Sequence, residues 1–123
     1  MELFFAAALL FAFAAAFGMT MAVEHFRGNS PPPLWQVTLH GLFAAGGLLI
    51  LLLAVVQADM LTAVGVRFEL PMWALSGFLV AALGGFSMLY FHARWKRVPG
   101  GLIIGHGLLA VAAFLLMLVW IFA

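Results

Sequence analysis

Polar residues interrupt this chain at only three places, and between them run four stretches that are apolar on every side rather than along one stripe. A helix with no polar face belongs inside a membrane or at the centre of a large protein. The first stretch, Leu3 to Val23, meets Glu24, His25 and Arg27 and then the breaker run Gly28-Asn29-Ser30-Pro31-Pro32-Pro33. Ser30 is a good N-cap and proline is tolerated in a first helical turn, so a second helix is expected to start around Pro31 to Leu34. Gln57, Asp59, Gly65, Arg67 and Glu69 mark the next polar turn, and Arg94-Trp95-Lys96-Arg97 with Pro99-Gly100-Gly101 the last. The pattern predicts helices over about 3–27, 31–57, 70–97 and 100–123.

Composition decides between membrane and large core. In 123 residues, 67% are hydrophobic and 7% charged, far more apolar surface than so short a chain could bury in water. A span takes about 20 residues, which leaves room for four and for no soluble catalytic domain. The reading is therefore an all-α integral membrane protein with a single transmembrane domain over 1–123. A net charge of +1 offers no field for nucleic acid, and without Cys there is neither disulfide nor thiolate metal site. Residues 1–18 have the length of a signal peptide, but Glu2 and the lack of Lys or Arg give the wrong n-region, so the segment is read as helix. The connections Gly28–Pro33 and Arg94–Gly101 adjoin or carry Arg27, Arg94, Lys96 and Arg97, against Arg67 alone in the middle connection. The positive-inside rule puts both basic connections in the cytoplasm and both termini outside, most naturally across a bacterial inner membrane.

The chain also repeats itself. Gly18-Met19-Thr20-Met21, three residues, then His25-Phe26-Arg27 matches Gly85-Phe86-Ser87-Met88, three residues, then His92-Ala93-Arg94, at an offset of 92 − 25 = 67. Pro33 precedes His40-Gly41-Leu42 by seven residues as Pro99 precedes His106-Gly107-Leu108, at an offset of 66. Two parallel two-helix units, about 1–58 and 70–123, are expected to form an up-down-up-down bundle with helices 1 and 3 on one diagonal and 2 and 4 on the other. All four His then fall towards the cytoplasmic face, with His40 and His106 deeper than His25 and His92.

Ionisable side chains at membrane depth are costly and point to function, although a single His near a helix end is commonly an interfacial or interhelical hydrogen-bonding residue. Gly18 and Gly85 lie seven residues before His25 and His92, about 20° from them on the helix face, and Gly47 lies seven after His40. Such small residues can shelve a flat macrocycle or let helices pack. Met21 and Met88 share the stripe as filler. Neutral imidazole suits iron, copper and zinc, and with no carboxylate at the inner depth a haem held by two axial His fits better than a bare four-His ion site. The metal candidates are His40, His106, His25 and His92. Arg27, Arg94, Lys96 and Arg97 at the mouth are candidates to pair with haem propionates, and equally serve as topology signals alone.

On His25, His40, His92, His106 and their glycines the chain resembles the transmembrane b-type cytochromes in general plan, a four-helix bundle with His on paired helices. It differs from those whose ligands sit towards both membrane faces. The tandem unit is also similar to small bacterial membrane proteins with a His-Gly-Leu-x-Ala signature, which implies no function. The expected function is electron transfer through one or two b-type haems, exchanging electrons with quinone or a larger membrane complex, with a homodimer compatible. His40 and His106 are the expected axial pair of a single haem, because diagonal helices leave more room for an iron than neighbours 8–10 Å apart, roughly. Alternatives are a cofactor-free accessory or assembly subunit, a carrier or channel using the His layer for protons, metal ions or a small solute, and pigment binding through single His ligands. The chain reads as an electron carrier more than as a stand-alone enzyme.

Overall fold

A computed structural model describes residues 1–61 and 69–123, with the side chains of 59–61 left aside. Gly65 and Arg67 lie outside the described residues. These form four helices and no strand: α1 (Glu2–Phe26), α2 (Leu34–Leu61), α3 (Glu69–Ala93) and α4 (Gly100–Phe122). All four are long and apolar enough to cross a membrane.

The helix ends correct the sequence reading in three places. Ser30 does not cap α2, which begins at Leu34. Each proline disfavours helical backbone in the residue before it, so Ser30, Pro31 and Pro32 are all pushed towards extended conformations. Only Pro33 can stand at the threshold, and its carbonyl accepts the N–H groups of Gln36 and Val37 at 3.0 and 3.4 Å. Pro99 does the same for α4, accepting from Leu102 and Ile103 at 3.0 and 3.4 Å. At its other end α2 continues through Gln57 to Leu61, because a polar side chain marks the edge of an apolar span without breaking a helix.

α3 stops at Ala93, so the basic run lies beyond it. Its last carbonyls are closed by Lys96 N–H to Phe91 at 3.0 Å and Trp95 N–H to His92 at 3.1 Å, with Trp95 in left-handed backbone at φ 54°. α1 ends in the same way. Asn29 N–H donates to Glu24 at 3.1 Å and Gly28 N–H to His25 at 3.0 Å, with Gly28 at φ 77°. Both are Schellman closures, and the left-handed residues are 95 − 28 = 67 apart, the offset of the sequence repeat.

Packing is antiparallel within each pair. Along α1 and α2, Phe11 meets Gly47, Ala14 meets His40 and Phe17 meets Trp35. Along α3 and α4, Gly77 meets Ala113 and Ala81 meets His106. α1 also runs antiparallel to α4, with Phe4 against Trp120 at one end and Phe26 against Gly100 at the other. Glycines set the close approaches: a Cβ on Gly77 would stand 3.0 Å from that of Ala113, and one on Gly47 3.1 Å from the Phe11 ring. Close backbone contact is what holds apolar helices together when lipid offers no hydrophobic penalty for separation.

The buried core is confined to one half of the molecule. Phe4, Phe11, Leu51, Leu75, Phe78, Met117 and Ile121 fill the half nearer the two termini, and Phe11 and Phe78 stack across it with ring centres 3.8 Å apart. Ala14 on α1 and Ala81 on α3 are its last members; beyond them towards Pro33 and Pro99 no described residue is buried.

Candidate functional site

Two imidazoles lie where that core ends. His40 is six residues into α2 and His106 six residues into α4, by 40 − 34 and 106 − 100. His40 donates its Nδ1–H to the Ala14 carbonyl on α1 at 2.8 Å, and His106 donates its Nδ1–H to the Ala81 carbonyl on α3 at 2.8 Å. A carbonyl can only accept, so both Nδ1 atoms carry hydrogen and, in the neutral ring, both Nε2 atoms keep a lone pair. Neither Nε2 has a partner among the described residues. The two ring centres are 6.1 Å apart with planes at 68°.

The acceptors stand at the midpoints of their helices: Ala14 is 12 residues from either end of α1 (14 − 2 and 26 − 14) and Ala81 12 from either end of α3 (81 − 69 and 93 − 81). At 1.5 Å per residue that is roughly 18 Å of helix on each side. The imidazoles are therefore level with the middle of α1 and α3, deeper than the near-face position expected from α2 and α4 alone, because α1 and α3 overhang the proline-started helices.

The other candidates lie towards the proline-side ends of the helices. His25 and His92 lie 11 residues along from Ala14 and Ala81, by 25 − 14 and 92 − 81, or about 16 Å. The His25 ring rests edge-on against Phe26, and its carbonyl accepts from the Arg97 guanidinium at 3.4 Å. Among the described residues no three of His, Asp and Glu gather in a group that could hold a metal ion, so His25 and His92 do not join the inner pair. Arg27 pairs with Glu24 at 3.5 Å, and Arg94 lies over the Tyr90 ring at 5.1 Å. Both are 13 residues from the imidazole level (27 − 14 and 94 − 81), about 20 Å along the chain direction.

The glycines do not form a bare shelf. The His40 ring itself occupies the clearance at Gly18, where a Cβ would come within 3.0 Å of Cε1. The His106 ring lies beside Gly84 and Gly85, where the nearest contacts of a Cβ would be 3.5 Å. Gly47 is filled by Phe11. What the sequence reading missed is the pair of acceptors: Ala14 and Ala81 hold the rings by backbone atoms that every residue possesses, and only their 67-residue register, shared with the repeat, could have singled them out. An open cleft of about 360 Å³, lined by Glu24, Asn29, Ser30, the three prolines and Gln36, belongs to the first connection and does not include the imidazoles.

The chain matches no protein-family model, and no curated protein and no solved structure is significantly similar to it.

Proposed function

We propose that the chain is an integral membrane electron carrier, an up-down-up-down bundle of two tandem helical pairs, in which His40 and His106 are the axial ligands of one b-type haem. The observation that carries this is the inner pair itself: two imidazoles from opposite helices, each fixed by Nδ1 and each presenting an unpartnered Nε2, at 6.1 Å between ring centres. His40 and His106, brought to one level of the bundle, would be the residues that hold the iron. The donor set suits iron, and the half of the bundle on the proline side has no buried side chains of its own among the described residues. A haem bound there supplies a one-electron couple.

The protein's own contribution is threefold. The Ala14 and Ala81 carbonyls fix ring orientation and tautomer and make each Nε2 more basic. The stacked Phe11 and Phe78 close the terminal side of the layer against water. Attachment is non-covalent, since the chain has no Cys. In this reading the basic connections face the cytoplasm, and quinol or a neighbouring membrane complex is the electron partner. Full-length protein purified from haem-replete membranes is expected to show a low-spin, six-coordinate spectrum with one haem per chain by pyridine haemochrome. A colourless protein, or a high-spin spectrum with an open coordination position, defeats the proposal.

A further inference from the structure

The two proline-side connections are built on the same backbone and have opposite surfaces. In the first, the left-handed position is Gly28, and Arg27 is neutralised by Glu24, which Asn29 also contacts. In the second, Gly28 is matched by Trp95, Asn29 by Lys96, Ser30 by Arg97 and Glu24 by Phe91, all at the 67-residue offset. Arg94, Trp95, Lys96 and Arg97 are all exposed, and among the described residues none of the three cations has a carboxylate partner. Trp95 is 92% exposed and adopts left-handed backbone, which for a bulky side chain costs about 1–2 kcal/mol. The first connection shows that glycine meets the same backbone requirement without that cost.

We infer that the second connection is a docking site for the phosphate headgroup of an anionic phospholipid. The inference rests on the membrane-spanning part of the proposal above and not on haem. Trp95 stands two residues beyond the end of α3, a helix long and apolar enough to cross a membrane, so in the proposed arrangement it would lie where the span gives way to headgroups. An indole combines an apolar ring with a hydrogen-bond donor and settles at that boundary, and cations beside it are drawn to anionic headgroups. Charge and position together favour lipid: an acidic protein would satisfy the cations but gives no reason to hold an indole outward where the span ends.

The test is lipid retention by the full chain in detergent, read by native mass spectrometry after exchange into equal phosphatidylglycerol and phosphatidylcholine. The wild type is expected to keep phosphatidylglycerol preferentially. The double variant Lys96→Gln/Arg97→Gln should lower that retention about tenfold, Trp95→Gly should lower it less, and Arg27→Gln should leave it unchanged. Helical circular dichroism identifies any variant that fails to fold, in which case Lys96→Gln alone, whose side chain makes no hydrogen bond or ion pair among the described residues, carries the comparison. Equal retention of the two lipids, equal loss in Arg27→Gln, or full competition by inorganic phosphate overturns the site, whatever the haem content proves to be.

Discussion

The first helical pair, α1 with α2, and the second, α3 with α4, hold their imidazoles alike and close their connections differently. Each pair starts its second helix on a proline carbonyl, places a His six residues in, and anchors its Nδ1–H on a mid-helix carbonyl at 2.8 Å. Between the pairs the surface chemistry has diverged, with Gly28 matched in the repeat by Trp95, and an Arg27 paired to Glu24 matched by a basic run that has no carboxylate partner among the described residues. The clearances differ too: the ring beside Gly18 is tighter than the ring beside Gly85. What the pairs share is therefore the means of fixing an Nε2 lone pair, and what they do not share is what surrounds it. A duplicated two-helix unit accounts for both, and the proposed haem site would need two equivalent rings while asking nothing of the connections.

The largest effect expected is on the shared feature. His40→Ala and His106→Ala should each abolish the low-spin haem spectrum, and to the same degree, because a six-coordinate iron needs both rings. His25→Ala and His92→Ala, about 16 Å along their helices, should leave haem bound and the spectrum low-spin. Absorption spectra and haemochrome stoichiometry of the four variants check this. Equal partial losses from all four, with two haems per chain, would break the comparison in favour of mixed ligand pairs.

Much of this was legible before the structure. All-round apolar runs give four helices long and apolar enough to cross a membrane, and the matched Pro-His spacing isolates His40 and His106 because Pro and His are rare in such a chain. Three things were not legible. Three successive prolines delay α2 through a local steric effect that a capping rule applied to Ser30 overlooks. The depth of the rings depends on how far α1 overhangs α2, which is a property of packing and not of spacing along one helix. Gly18 shares a helix face with His25 in the sequence, but the group that approaches it in the structure is the His40 ring, and a glycine does not reveal what it makes room for.

That clearance gives a second, smaller test. Alanine at either glycine gains helix propensity, about 0.5–1 kcal/mol. At Gly85 the new Cβ would find the His106 ring at an ordinary 3.5 Å, so Gly85→Ala should be neutral or slightly stabilising. At Gly18 it would meet His40 Cε1 at 3.0 Å, and the ring cannot retreat without lengthening its bond to Ala14. Overpacking costs about 1–3 kcal/mol, so Gly18→Ala should be net destabilising by about 1 kcal/mol and should lower haem occupancy. Reversible unfolding in detergent, with haem content measured in parallel, reads both. The same sign at both sites would show that the two clearances are equivalent and that the ring is free to shift.

The smallest effect, and the one most specific to the divergence of the pairs, concerns the left-handed positions. Gly28 has φ 77° and no atom within 4 Å of where a Cβ would stand, so Gly28→Ala is resisted by backbone alone and should cost about 1 kcal/mol. Trp95→Gly relieves the same backbone penalty at φ 54° but makes the unfolded chain more flexible, which takes back about 0.4–1 kcal/mol. The expected net gain is therefore under about 1 kcal/mol, opposite in sign to Gly28→Ala. Both should be measured in a neutral detergent, where no anionic headgroup contributes. A loss of stability in Trp95→Gly under those conditions would mean that the indole is held by contacts within the fold. A gain there, together with weaker phosphatidylglycerol retention, would show the cost of the left-handed Trp being borne by the protein and offset only at the membrane surface.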